Sequence, residues 1–135
     1  MVFWRAARSQ GKPPATPKDN WKDKLIQSAK QCGNVFLPSL DIVDGIDGVA
    51  ALSASFDSRI MAWEKAEPED LLGPDRLAER TLVVFGPEGG FDDREAEKLQ
   101  TNGFDAVSLG NSILRWETAA IHTLSLALYS RERRT

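Results

Sequence analysis

The sequence has few of the residues that build disulfides and metal sites. Among its 135 residues there is one cysteine, Cys32, and one histidine, His122. A single cysteine cannot form an internal disulfide, which favours a reducing, cytoplasmic setting. A structural zinc site is excluded, because such sites need several cysteine or histidine ligands. We therefore expect no bound metal.

Long apolar runs and an excess of positive charge are also absent. No run has transmembrane length, and the first residues lack the apolar core and cleavage site of a signal peptide. We expect no membrane partner. The net charge of −3 argues against nucleic-acid binding by bulk positive charge. Basic residues do cluster near both ends, as either solvated termini or local contact patches: Arg5, Arg8, Lys12, Lys18, Arg131, Arg133 and Arg134.

The chain length and composition predict one soluble globular domain. With 41% hydrophobic and 27% charged residues, it is far from the disordered classes. Three prolines and a glycine within residues 9–18 prevent a regular element there. We therefore divide the chain into an irregular lead over residues 1–17 and a folded domain over residues 18–135.

The first half of that domain gives one clear helix. Apolar residues recur at helical steps from Trp21 to Cys32, with Gly33 as a natural stop, and this spacing places Cys32 on the core face. Residues 41–48 contain two Asp-Gly pairs without a clear period and are interpreted as a loop. A short helix at residues 49–52 and a short buried strand at residues 60–63 follow.

The second half alternates strands and helices more clearly. Residues 81–85 form a β-branched apolar run of strand length, and Asp92 with Glu95 has capping-box spacing before a helix that ends at Gly103. A strand over residues 104–109 and a final helix from Trp116 complete the pattern. The final helix is apolar around a wide arc, which indicates a partner subunit. The alternation predicts an α/β fold with a mostly parallel sheet.

Two turns stand where ligands bind in such sheets, beyond the carboxyl ends of strands. The first is Gly86-Pro87-Glu88-Gly89-Gly90, whose glycines permit close approach of the backbone to a ligand. A tight strand-to-helix turn without a ligand explains the same residues equally well. The spacing matches neither a dinucleotide fingerprint nor a P-loop.

The second turn, residues 109–115, mixes backbone amides with apolar side chains. Leu109, Gly110, Ile113 and Leu114 suit a flat heteroaromatic ring better than a phosphate. Arg115 is followed two residues later by Glu117, either as a salt-bridged start of the helix or as a pair that orients a substrate.

Both turns resemble signature motifs of one enzyme family. Residues 85–91, Phe-Gly-Pro-Glu-Gly-Gly-Phe, and residues 108–119, Ser-Leu-Gly-x-x-Ile-Leu-Arg-x-Glu-Thr-Ala, closely resemble those of the RsmE family. This is a family of 16S ribosomal RNA uridine methyltransferases within the SPOUT superfamily. The segment from Ala29 to Pro38 and the pair Arg8-Ser9 are also similar to family segments.

The resemblance implies a C-terminal deep trefoil knot, an exception to the rule against knotted chains. It also implies a homodimer that methylates N3 of a uridine in small-subunit ribosomal RNA, with S-adenosylmethionine as cofactor. The cofactor would rest on Phe85, Gly86, Pro87, Glu88, Gly89, Gly90, Leu109, Gly110, Ile113, Leu114 and Arg115. Arg115, Glu88 and Glu117 are the expected catalytic residues. Cys32 and His122 are not expected to act in catalysis.

Two departures keep a second function open. The family's N-terminal PUA-like RNA-binding domain has no counterpart before Trp21, and Asn111-Ser112 replaces the usual Pro-Arg. The alternative is a non-catalytic SPOUT-like homodimer that binds RNA or a protein. A generic α/β nucleotide-binding module is a further alternative, which would lack the knot.

Overall fold

Five strands and four helices alternate along the chain in a computed structural model that describes residues 1–11 and 14–135. Lys12 and Pro13, inside the predicted proline-rich loop and one basic cluster, lie outside the described residues. The strands are β1 Val2–Trp4, β2 Asp41–Val43, β3 Ser58–Ala62, β4 Thr81–Phe85 and β5 Asp105–Val107. The helices are α1 Asp19–Cys32, α2 Gly45–Leu52, α3 Asp93–Thr101 and α4 Trp116–Arg134.

All strand pairs that the structure describes are parallel. β1 pairs with β2 in a two-stranded sheet, and β3 lies between β4 and β5 in a three-stranded sheet of order β4-β3-β5. The chain therefore crosses from one side of β3 to the other between β4 and β5. These pairings confirm the predicted α/β fold with mostly parallel strands.

β3 is buried on both faces and divides the core into two clusters. Met61 packs on one face among residues of α2 and α3, whereas Ile60 packs on the other face with Val107 and partly buried residues of α4. Complete burial of such a side chain is worth roughly 1.5–3 kcal/mol. β4 also contributes to both clusters, through Val84 and Val83, which explains its continuous apolar run in the sequence.

The predicted end of α1 and the predicted start of α3 are confirmed. Gly33 closes α1 in the left-handed conformation with φ of 70°. Asp92 and Glu95 form the expected capping box at α3, with the N–H of Glu95 2.7 Å from Oδ1 of Asp92. The predicted core position of Cys32 is wrong, because Cys32 is exposed and α1 contains no fully buried residue.

Two predictions in the first half of the chain are also corrected. Residues 41–48 are not a loop, because they form β2 and the first turns of α2. Within the lead of residues 1–17, Val2–Trp4 forms β1. Each of these strands has only three residues and is ordered by pairing with the other, so neither shows a period of its own. Among the described helices, none combines the length and apolar character needed to cross a bilayer.

Candidate active site at the carboxyl edge of the sheet

Three segments with polar residues meet at the carboxyl edge of the three-stranded sheet. Glu64 follows β3, residues 86–91 follow β4, and residues 108–115 follow β5. Since β4 and β5 flank β3 and neighbouring strands lie about 4.8 Å apart, their ends are separated by about 10 Å. The topology therefore brings both sequence motifs to one edge, with β3 between them.

The glycine loop, residues 86–91, is a tight turn anchored by a buried aromatic ring. The N–H of Gly90 donates to the carbonyl of Pro87 at 2.8 Å, and Gly90 has a φ of 69°. Phe91 is fully buried and stacks with Trp4 of β1 at a centroid distance of 6.1 Å. A Cβ at Gly86 would lie 3.2 Å from the backbone nitrogen of Phe91. The loop thus folds back closely on its own anchor.

Two charged side chains pack against the remaining glycines of this loop. A Cβ at Gly89 would lie 3.1 Å from Cβ of Arg8, and a Cβ at Gly90 would overlap the carboxylate of Glu64. A side chain at either position would therefore have to displace a neighbour within the protein. Close approach of the backbone to a ligand, which the sequence suggested, is not the only reason for these glycines.

A turn near the N-terminus supplies Arg8 to the loop. Nη1 of Arg8 donates to the carbonyls of Gly89 at 3.0 Å and Phe91 at 3.3 Å. The turn is closed by Ser9, whose Oγ accepts the N–H of Ala6 at 3.0 Å. Glu95 is only 5% exposed and joins this turn to α3, since its Oε1 accepts the N–H of Ala7 at 2.6 Å.

The second loop, residues 109–115, is held at its start and open beyond it. Ser108 pairs with Leu71 in an isolated parallel β-bridge, and Leu109 packs against the core cluster around Ile60. Gly110 has a φ of 119°, and a Cβ there would meet nothing within 4 Å. Ile113 is 89% exposed, an unusual position for a large apolar side chain.

The predicted catalytic residues lie at this edge without being joined to one another. Arg115 is the N-cap of α4 with an extended backbone, and Glu117 lies in the first helical turn. Glu88 lies at the tip of the glycine loop, and all three residues are exposed. The three ion pairs found in the described parts of the chain do not join Arg115 to Glu117. Their catalytic roles stay predictions.

The sequence interpretation missed two carboxylates that shape the site. Glu64 is the first charged residue after the buried strand β3, a signal that could have placed it at the ligand edge. Glu95 was assigned only to the helix cap, and its second bond, to Ala7, spans 88 residues and leaves no local signal. His122 is exposed on α4.

The chain belongs to the RNA methyltransferase domain family. Residues 1–128 match the RNA methyltransferase domain family. A relative from Mesomycoplasma hyopneumoniae, ribosomal RNA small subunit methyltransferase E, is 31% identical over 105 residues, which cover 78% of this chain and 45% of the relative. These matches confirm the resemblance to the RsmE family.

Solved structures show the same fold. A probable rRNA methyltransferase from Porphyromonas gingivalis superposes with a TM-score of 0.83 at 24% identity, over 98% of this chain and 56% of that one. A methyltransferase from Legionella pneumophila, solved in complex with the cofactor SAM, has a TM-score of 0.67 at 25% identity, over 93% and 52%. The chain therefore spans about half the length of the relatives it matches.

Proposed function

We propose that the protein transfers a methyl group from S-adenosylmethionine to N3 of a uridine in 16S ribosomal RNA. The observation that carries the proposal is the convergence of two loops at one sheet edge, in a chain that matches the RNA methyltransferase domain family over residues 1–128. Ligands of parallel α/β sheets bind beyond this edge. The name of the Mesomycoplasma relative supplies the RNA class.

The residues at this edge fit the proposed cofactor. Open space over Gly110 and the exposed apolar side chain of Ile113 suit a flat adenine ring, which would cover Ile113. The fixed turn at residues 86–90 offers a rigid wall opposite. Phe85, Pro87, Leu109, Leu114 and Arg115 would complete the cofactor site.

The chain's own residues would then have to remove one proton and hold one negative charge. The bound cofactor would supply an electrophilic methyl group. Uracil N3 carries a proton that must leave, and we propose Glu88 and Glu117 as the carboxylates for this task. The guanidinium of Arg115 would stabilise the anionic uracil or hold an RNA phosphate. Alignment of N3 with the methyl group would provide much of the remaining rate.

We also propose that the C-terminal part of the chain forms a deep trefoil knot. In support, the end of α4 is fastened to the long connection between β3 and β4. Ser130 Oγ donates to the carbonyl of Pro74 at 2.9 Å, and Arg134 donates to the carbonyl of Leu77. A helix that reaches this connection after β5 is what threading of the C-terminus requires. An experimental structure whose backbone is unknotted would contradict this proposal.

A homodimer through α4 is the proposed assembly. One face of α4 is packed on the protein through Ala119, Thr123 and Ser130, while large apolar side chains on other faces are exposed. These exposed residues are Trp116, Ile121, Leu124, Leu128 and Tyr129. Leu124→Glu should convert a dimer into a folded monomer in analytical ultracentrifugation. A wild-type chain that sediments as a monomer at all concentrations would sink this proposal.

The test of the activity is methyl transfer to 16S ribosomal RNA that lacks the modification. The purified chain is incubated with labelled S-adenosylmethionine, and the product nucleoside is identified by mass spectrometry. We expect N3-methyluridine, at a higher rate when an RNA-binding N-terminal domain from a full-length relative is fused to the chain. A folded dimer that binds the cofactor without any turnover in either form would favour the non-catalytic alternative.

A further inference from the structure

We propose that Arg8 is a positioning residue for the cofactor, acting through the glycine loop. The inference rests on the proposed function, because it concerns the same cofactor site. Arg8 is far from the loop in sequence, and its Nη1 donates to the carbonyls of Gly89 and Phe91 at 3.0 and 3.3 Å. Arg8 would thus set the shape of the loop without touching the cofactor.

The two carbonyls belong to peptide groups that are fixed at both ends. In the peptide group between Gly89 and Gly90, the carbonyl accepts a hydrogen bond from Arg8 and the N–H donates to the carbonyl of Pro87. In the peptide group between Phe91 and Asp92, the carbonyl accepts a hydrogen bond from Arg8 and the N–H donates to Oε2 of Glu95 at 3.0 Å. Arg8 therefore fixes the orientation of both peptides that flank the unit of Gly90 and Phe91.

Arg8 is itself held by its neighbours in the chain. Ala6 is 4% exposed and forms the turn with Ser9, in which the N–H of Ser9 donates to the carbonyl of Ala6 at 3.2 Å. The buried carboxylate of Glu95 accepts the N–H of Ala7 with one oxygen and the N–H of Asp92 with the other. One carboxylate thus ties the turn that carries Arg8 to the end of the loop that Arg8 contacts.

Within the described residues Arg8 is in none of the ion pairs, and its guanidinium donates to the loop. Among residues 1–11 and 14–135, the three ion pairs involve Lys65, Arg76 and Lys98. A hydrogen bond from a charged donor is stronger than one between neutral groups. Because Arg8 is exposed, water weakens this contact, and its loss is expected to lower cofactor affinity by severalfold to about tenfold.

The test compares Arg8→Ala with Arg5→Ala, since both arginines are exposed but Arg8 is the one whose guanidinium donates to the glycine loop. Calorimetry measures binding of S-adenosylmethionine and of methylthioadenosine, which lacks the amino acid portion. We expect Arg8→Ala to weaken both ligands by the same factor, Arg8→Lys to weaken them less, and Arg5→Ala to change neither by more than about twofold. Hydrogen exchange should accelerate at the amides of Gly90 and Asp92 in Arg8→Ala only.

Each contrary result overturns the inference. Unchanged affinity in folded Arg8→Ala refutes it, and a loss confined to S-adenosylmethionine shows direct contact with the amino acid portion instead. If Arg8→Ala does not fold, Ser9→Ala, which loosens the turn, must give the same parallel loss in both ligands. A wild-type chain that binds neither ligand refutes the proposed function, whereas the exchange measurement still decides whether Arg8 holds the loop.

Discussion

The two loops at the carboxyl edge differ in what holds them. In the glycine loop, Gly89 and Gly90 are packed against Arg8 and Glu64, and Phe91 is buried beneath them. In the second loop, Gly110 has open space around it and Ile113 is almost fully exposed. One loop is preorganised by the protein, and the other presents surface that a ligand or a partner subunit can cover.

This difference separates two causes that look alike in a sequence. Both loops hold a glycine at a positive φ, Gly90 in the first and Gly110 in the second, but only in the first loop do neighbouring side chains also crowd the glycines. Preorganised groups lose little freedom when a ligand binds. The first loop is thus suited to fix the position of a ligand, and the second loop to recognise its apolar surface.

The largest effect is expected at the end of the second loop. Arg115→Ala should lower the rate of methyl transfer by about 10²–10³, the usual loss when a donor to a developing negative charge is removed. Its affinity for S-adenosylmethionine should fall much less than the rate, because the exposed guanidinium borders the cofactor site and acts mainly on the RNA side in this proposal. Single-turnover kinetics and calorimetry measure the two quantities.

Arg115→Lys is the matched control, because it keeps the charge and loses the planar fork. It should recover part of the rate. Equal losses of rate and cofactor affinity in Arg115→Ala would show that Arg115 holds the cofactor or the fold. Arg115 would then act on the cofactor and not on the RNA.

The next effect compares two glycines that share a positive φ. Gly90→Ala should destabilise the protein by at least about 1–2 kcal/mol from the backbone alone, with a further cost from the overlap with Glu64. Gly110→Ala has only the backbone cost, since a Cβ there has open space. Chemical denaturation of both variants gives the difference between the loops directly.

The double variant Glu64→Ala with Gly90→Ala isolates the packing term. If the carboxylate of Glu64 causes the extra cost, Gly90→Ala should cost less stability in the Glu64→Ala background than in the wild type. An equal loss for Gly90→Ala in both backgrounds would show that the carboxylate of Glu64 does not restrict the glycine loop.

The sequence predicted the elements whose signals are local. β4, the capping box of α3 and the glycine end of α1 depend on neighbouring residues and were found where expected. β1 and β2 were missed because each is ordered by a partner about 39 residues away, as in the pairing of Phe3 with Ile42. The contacts of Arg8 and Glu95 with distant segments are equally invisible to a local pattern.

The candidate site divides in the same way. Its two loops could be found because glycines and a strand end mark each of them in the sequence. The supports of the glycine loop could not, since Arg8 and Glu64 reach it only through the fold. A motif therefore locates a site more readily than it explains why each of its residues is needed.

A smaller effect is expected at Ile113. Ile113→Ser should leave the free energy of unfolding within about 0.5 kcal/mol, because the side chain is exposed in the free chain. It should weaken S-adenosylmethionine by several-fold if the cofactor covers the side chain, since apolar burial is worth about 25 cal/mol per Å². Val35→Ser, at a residue 84% exposed after α1, is the matched control and should change neither quantity. Equal affinity of wild type and Ile113→Ser would remove Ile113 from the site.

The smallest effect tests whether support of the glycine loop extends beyond its direct contacts. Nζ of Lys98 in α3 lies 2.9 Å from Oδ1 of Asp47 in α2. This hydrogen bond, together with the charge of Lys98, lowers the pKa of Asp47 below its usual value of 3.8. A lowered pKa in the folded state means that the stabilisation is present above pH 3.8 and is lost as the pH falls through the lower value. Because Asp47 is exposed, Asp47→Asn should cost little stability at pH 7, and the difference from wild type should vanish in acid. Urea denaturation across this range measures it, and cofactor affinity at pH 7 should be unchanged. A loss of affinity would show that α3 transmits strain to residues 86–91, so that the wall of the site extends into the helix that follows it.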